Sequence, residues 1–286
     1  MNPNKMKKLY FYRKIIFVLC LFATSFLYAH GSLSKRIKKK TAEIEKHPKN
    51  STLYFERGFL YEQHEEFNKA IEDYLKSEEL GYSKYLLLHY RKAQTYYHNY
   101  NFYKALESSS LYLKKDSVDV KINKLHAQIL VQLNKHQKAI KYYSYFVNNA
   151  IDINPNDIIE YSTIYLEKDK NYTTALEVLE VGLQKLGNDI FSLQLKKLDY
   201  LEASFQIDEA IEQYNYFILN TNRKEFWYYK KATYLSENNK NEDAIIAVQQ
   251  AKFAVLALND KFQNTIAIKD LQSKIYNLEN KITIKN

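Results

Sequence analysis

Cysteine is all but missing from this 286-residue chain; Cys20 is the only one. A disulfide framework, a cysteine metal site and a thiol nucleophile in the body of the protein are therefore excluded. Glycine occurs five times and proline three times, too few for the many turns of an all-β fold. There is no glycine-rich phosphate loop, no Gly-x-Ser-x-Gly elbow and no His-Glu-x-x-His pair. The seven histidines, His30, His47, His64, His89, His98, His126 and His136, contain no i, i+4 pair, the spacing by which one helix offers two ligands to a metal. No catalytic residue, metal site or cofactor is expected, and an enzyme is not the reading these residues favour. The weakest alternative is an active site assembled from the acidic residues Asp157, Glu160, Asp199 and Glu202.

A large charge on the repeating body is also lacking. The formal net charge of +9 would suit nucleic acid or an anionic membrane, but residues 1–29 contribute +5 and residues 30–49 another +5. The rest holds 30 basic and 31 acidic side chains, so nucleic acid is not an expected partner. The positive stretch "KMKKLYFYRK" precedes "IIFVLCLFATSFLYA" (15–29). As a helix that apolar run spans ~22 Å, short of a ~30 Å hydrocarbon core. Small residues follow, with Ala29 and Gly31 placed for cleavage before Ser32 and a cut after Ala29 also open. Residues 1–31 thus read as a signal peptide, with export to a periplasm or cell envelope. The alternative is an uncleaved anchor, extended by Tyr10 to Tyr12, that holds an envelope assembly factor at the membrane. Leu19 before Cys20 disfavours a lipidation site. The basic run "KRIKKK" (35–40) reads as the solvated face of a leading helix, or else as a contact for anionic lipid.

What the chain has in plenty is aromatic residues, 15% of the total with 27 tyrosines, and a repeat that houses them. Ala70-Ile71, Ala105-Leu106, Ala139-Ile140, Ala175-Leu176, Ala210-Ile211 and Ala244-Ile245 follow one another at steps of 35, 34, 36, 35 and 34 residues. Twelve residues before each alanine stand Gly58, Ala93, Ala127, Thr163, Leu198 and Ala232. Four after stand Tyr74, Ser109, Tyr143, Leu179, Tyr214 and Val248. A period near 34 with small and large residues at fixed offsets predicts a two-helix unit repeated about six times. Gly58 and Ala70 would let two backbones approach, with Tyr61 and Tyr74 filling the space beside them. Leu198 at a small site, and Asn123 and Gln194 at large ones, mark repeats 3 to 5 as irregular. There the hairpins splay or neighbouring residues have shrunk.

The stretch "LYFERGFLYEQHEEFNKAIEDYLKSEEL" carries the aromatic, small, aromatic, then Phe-x-x-Ala-Ile-x-x-Tyr order, and with it residues 51–254 resemble the tetratricopeptide repeat family. That resemblance implies an all-α, right-handed α-α superhelix. A capping helix over 32–50, an array over 51–257 and a capping helix over 258–286 complete the expected organisation. Asn259-Asp260 offers an N-cap for that last helix, followed by Phe262, Ile266, Leu271, Ile275, Leu278 and Ile282; the last four, spaced 4, 3 and 4, form a stripe that serves as a cap or, alternatively, as a dimer seam.

The resemblance further implies a non-catalytic scaffold, a monomer, whose concave groove receives a peptide or partner helix. By register the groove residues are Phe55, Phe59, Glu62, Tyr90, Gln94 and Tyr97 in repeats 1 and 2. Lys121, Lys124 and Gln128 follow in repeat 3, then Asp157, Glu160 and Glu167, then Asp199 and Glu202, and finally Phe226 and Tyr229. The competing reading packs these aromatics between adjacent helices. Lys121 and Lys124 are similar to the family's carboxylate-clamping lysines, but glutamines, Gln94 and Gln128, stand where asparagines are expected, so chaperone-tail binding is not predicted. A membrane contact is expected only through the N-terminal segment if it is uncleaved.

Overall fold

The computed structural model describes residues 33–285; the segment expected to be a signal peptide, the cleavage site expected for it and Cys20 lie outside them. The described residues form fifteen α-helices and no strand, in two compact units that meet at Ala150 and Ile151. The first unit opens with α1 (33–46). Three helix pairs follow: α2 (Ser51–Gln63) with α3 (Phe67–Glu79), α4 (Tyr85–His98) with α5 (Phe102–Leu113), and α6 (Val120–Gln132) with α7 (His136–Asn149). The second unit holds α8 (Pro155–Asp169) with α9 (Tyr172–Leu186), α10 (Phe191–Ala203) with α11 (Ile207–Asn220), and α12 (Lys224–Glu237) with α13 (Asn241–Leu256). It ends with α14 (Asp260–Gln263) and α15 (Ile266–Lys285). No helix among the described residues is long and apolar enough to cross a membrane.

All six in-register alanines are fully buried where the second helix of a pair meets the first. In the first pair a side chain on Gly58 would stand 3.0 Å from the Tyr74 ring and 3.2 Å from the Ala70 carbonyl oxygen. The glycine lets Tyr74 lie across it without displacement, and its intrinsic cost in a helix of ~1 kcal/mol is offset by that close packing. Repeat 4 uses another device: a Cβ on Gly182 of α9 would fall 2.9 Å from Cγ1 of Ile158.

Leu198 is buried, and α10 and α11 approach each other less closely than the helices of any other pair. Splaying is thus the outcome in repeat 5. Asn123 and Gln194, in contrast, are not defects. The Asn123 side-chain amide donates to the carbonyl of Ser117 (3.0 Å) and that of Gln194 to the carbonyl of Asn188 (2.6 Å). In repeat 1 the hydroxyl of Tyr54, at the same repeat position, donates to the carbonyl of Pro48 (3.1 Å). Two side-chain amides and a phenol hydroxyl thus each hold the loop six residues upstream.

The turn inside every pair passes through one non-glycine residue at positive φ: Glu65, Tyr100, Asn134, Lys170, Phe205 and Asn239, with φ between 55° and 61°. Each stands five residues before its alanine. In five turns the next N–H bonds the carbonyl five residues back, as in Glu66 to Tyr61 (2.9 Å) and Gln206 to Leu201 (3.0 Å), a Schellman-type closure. In repeat 4, Asn171 reaches six residues back to Tyr165 (3.3 Å).

Each unit has one end covered. Ile37 and Ile44 bury the inner face of α1, while Lys40 pairs with Glu43 (2.6 Å) and Glu56 (2.7 Å). Arg57 fastens three helices at once, donating to both carboxylate oxygens of Asp73 (2.8 Å each) and to the Thr41 hydroxyl (3.1 Å). At the other end Ile268, Leu271, Ile275, Leu278 and Ile282 of α15 pack on α12 and α13, and Glu279 accepts from Lys252 (2.6 Å) and Gln249 (3.1 Å). The four-residue stripe is buried as expected, but the single helix expected over 258–286 is interrupted, and Phe262 and Ile266 are exposed. Asn259 caps the short α14, the chain breaks, and the helical register restarts so that Ile268 heads the stripe.

Candidate functional site

In the first unit the leading helices α2, α4 and α6 lie side by side, and their shared face carries most of the predicted groove residues. The centre of that face is Arg91, one position beyond the predicted Tyr90. Its guanidinium lies 4.4 Å from the centroid of the Phe59 ring and donates to Glu62 (3.2 Å) and Gln94 (3.3 Å). Glu62 also accepts from the Tyr74 hydroxyl (2.6 Å). Burial, and then the Glu62 charge, raise the Tyr74 pKa far above that of a free phenol. Tyr90 meets Tyr112 edge-on at 6.4 Å, and Tyr112 donates to Asp119 (2.7 Å), the residue that caps α6. Tyr97 packs on Phe102 at 5.7 Å, Lys124 stands over Phe146 at 5.3 Å, Gln128 is half-buried and Lys121 is exposed.

Phe55 does not belong to this face. It is buried in the core, stacked on Tyr82 at 4.5 Å and 5.5 Å from Tyr74. Phe59, Tyr90 and Tyr97 are half-buried. They serve the contacts between neighbouring helices and present the remainder outward.

In the second unit Asp157 is likewise displaced from the predicted row. It is buried in a capping box with Asn154 that starts α8. Glu160 and Glu167 are exposed, and Phe226 lies under the Arg223 guanidinium at 5.0 Å. Asp199, Glu202 and Tyr229 come together in a cleft of roughly 310 Å³ between α10 and α12, with Tyr214, Tyr234 and Glu237. Glu202 accepts from Tyr214, repeating the Glu62–Tyr74 pair. Burial and the Glu202 charge again raise the Tyr214 pKa far above the phenol range.

A serine–histidine pair, Ser109 Oγ to His126 Nδ1 at 2.8 Å, has the geometry of an activated nucleophile. Both side chains are buried, so the pair is core rather than chemistry. Among the described residues no group of three or more His, Cys, Asp or Glu side chains is arranged to hold a metal ion.

Arg91, Tyr234 and Glu237 escaped the reading of the sequence. The trace that leads to this chemistry is a glutamate eight residues before the alanine combined with a tyrosine four after it, as in Glu62 with Tyr74 and Glu202 with Tyr214.

No family model matches the sequence, and no curated protein matches it. Solved structures do. The C-terminal part of a TPR repeat-containing protein from Cytophaga hutchinsonii is 14% identical, with a TM-score of 0.62 over 86% of this chain and 97% of that one. A tetratricopeptide repeat protein from Parabacteroides merdae is 14% identical, with a TM-score of 0.54 over 86% of this chain and 93% of that one. A chain of the Naa15/Naa10 complex bound to HypK-THB is 16% identical, with a TM-score of 0.55 over 85% of this chain but only 36% of its own length. The fold is that of the tetratricopeptide repeat proteins.

Proposed function

We propose that the protein is a non-catalytic scaffold whose leading-helix faces hold a peptide or partner helix. The observation that carries this is the composite surface of Phe59, Glu62, Arg91 and Gln94. Aromatic and charged groups from two successive repeats are locked together there by ring stacking and hydrogen bonds, so they reach the surface with little freedom left to lose on binding. In such a fold a stiff surface is built from repetition. One solved structure of this fold, the Naa15/Naa10 complex, is bound to HypK-THB. Export through residues 1–31 to a periplasm or cell envelope, and a monomeric state, are parts of the same proposal.

Crosslinking and capture from an envelope extract, with full-length chain as bait, tests it. A second bait carries Arg91→Gln and Lys121→Glu, with circular dichroism checking that it remains folded. A partner held by the first and lost by the second supports the surface as the working site. Equal capture by both would refute that assignment, and absence of any partner would refute the scaffold. A full-length mass in the membrane fraction would refute the cleaved signal.

A further inference from the structure

The cleft of the second unit has a composition that the rest of the leading-helix face does not repeat. Its walls are Leu195, Leu198, Asp199 and Glu202 of α10, Tyr214 of α11, and Tyr229, Lys230, Thr233, Tyr234 and Glu237 of α12. Leu198, the large residue at the small site of α10, is itself part of the wall.

Three carboxylates line this cleft against one lysine. Lys230 lies over the Trp227 ring at 4.5 Å. Asp199 meets Lys196 at 3.2 Å on the outer edge. Glu202 uses Oε1 for Tyr214. The unit as a whole has 16 Lys and Arg against 20 Asp and Glu, so its wider field has the same sign as the cleft.

Acidity alone would describe a solvated surface; Tyr234 points to more. It forms part of the wall, is only 8% exposed, and its hydroxyl is buried with no hydrogen-bond partner. A phenol hydroxyl left unpaired in a protein interior destabilises the fold, so a partner supplied from outside is favoured. Its phenolic proton is further held by burial and by the Glu202 and Glu209 charges. The neutral hydroxyl can donate or accept; the carboxylates of Asp199, Glu202 and Glu237 in the same cleft favour a partner that carries positive charge and donates to the phenol oxygen. The rings of Tyr214, Tyr229 and Tyr234 add planar π surfaces, which suit a flat, delocalised cation better than a hydrated point charge.

We infer that the cleft between α10 and α12 takes the guanidinium of an arginine side chain from a bound peptide, between Glu202 and Glu237 and against the three tyrosines. This rests on the scaffold reading and names the chemistry of one of its subsites. The ligand is a basic segment with apolar neighbours for Leu195 and Leu198.

The test titrates full-length chain against fluorescein-labelled peptides Gly-Ala-Leu-Ala-X-Ala-Leu-Ala-Gly, with X as arginine, citrulline or lysine, read by anisotropy. The arginine peptide is expected to bind about tenfold tighter than its neutral citrulline isostere, as one charge-assisted pair gives, with lysine between them and the preference shrinking in salt. Glu202→Gln with Glu237→Gln should abolish the preference. Tyr234→Phe should weaken the arginine peptide while leaving the melting temperature unchanged or raised, because the hydroxyl it removes bonds nothing in the free protein. Equal binding of arginine and citrulline, no binding of the arginine peptide, or a preference that survives the double variant would overturn the inference. If the double variant still captures the natural partner from extract, the arginine subsite falls while the scaffold stands; if wild type captures nothing, the scaffold falls on its own test.

Discussion

Ala93 in the first unit and Leu198 in the second occupy the same place in the repeat, and the helices around them behave differently. Beside Ala93, α4 and α5 close tightly; beside Leu198, α10 and α11 stand apart. The difference continues into charge and chemistry. Residues 50–150 hold 14 basic and 11 acidic side chains, whereas residues 151–286 hold 16 and 20. Every histidine of the chain precedes Ala150, and the single tryptophan, Trp227, lies in the second unit. One repeat plan thus yields a closed, aromatic, mildly basic face and an opened, acidic one. The enlarged side chain of Leu198 marks the pair at which the two units differ most in helix packing.

Exchange of the two side chains gives the largest expected effect. Ala93→Leu inserts a branched side chain between α4 and α5 and should cost about 3 kcal/mol. Leu198→Ala leaves a cavity between helices that cannot fully close and should cost about 3 kcal/mol. Urea unfolding followed by circular dichroism reports both units, while Trp227 fluorescence reports the second. A silent Ala93→Leu would mean that the pairs open freely, and the contrast between the units would lose its cause.

Acid should separate the units next. Burial pushes the His126 imidazole down to about 4, and His89 is lowered in the same direction by burial and by Lys92. A histidine whose folded pKa lies below its unfolded value of 6.5 stabilises the fold above that pH and loses the contribution as pH falls. For His126 alone the loss is about 2 kcal/mol at pH 5 relative to pH 7. Hydrogen exchange between pH 7 and pH 5 should lose protection across α4 to α7 more than across α10 to α13, and His126→Gln should flatten the difference. Equal loss in both units would assign acid sensitivity to the carboxylates instead.

Why some of this was legible in the sequence, and some not, follows from the same residues. Small side chains at a helix contact are demanded by geometry, so Gly58 and the six alanines leave a periodic trace that fixes the helix pairs. Half-buried aromatics leave none. Phe55 and Phe59 are four residues apart on one helix, yet one stacks in the core and the other carries Arg91. Asn123 and Gln194 look like damage because they give that position a hydrogen bond to the preceding loop in place of volume. The break after α14 escaped because Phe262 and Ile266 are apolar and four residues apart, so the composition gives no sign that the helix stops between them.

Two glycines compare the units on a smaller scale. Gly182→Ala gains ~1 kcal/mol of helix propensity, but its Cβ falls inside the Ile158 side chain. A net loss of about 1 kcal/mol is expected once the overpacking cost is included. Gly58→Ala meets only the Tyr74 ring and the Ala70 carbonyl, at 3.0 and 3.2 Å, and should be close to neutral. Thermal melts of the two variants decide it. The reverse order would place the tighter contact in the first unit.

The smallest expected effect is a gain. Phe205 and Tyr100 hold the left-handed turn position in repeats 5 and 2, and both are largely exposed. The left-handed conformation costs a residue with a Cβ roughly 1–2 kcal/mol. Glycine escapes that cost but gives back part of it through the greater freedom of its unfolded chain. Phe205→Gly should therefore stabilise the second unit by about 0.5 kcal/mol. Tyr100→Gly should gain less, because Tyr100 meets Phe102 edge-on at 6.3 Å and that contact is lost. Asn134→Gly should gain least, since asparagine already tolerates the conformation. Denaturant midpoints for the three variants test the order, and a destabilised Phe205→Gly would show that the exposed ring has a contact holding its turn.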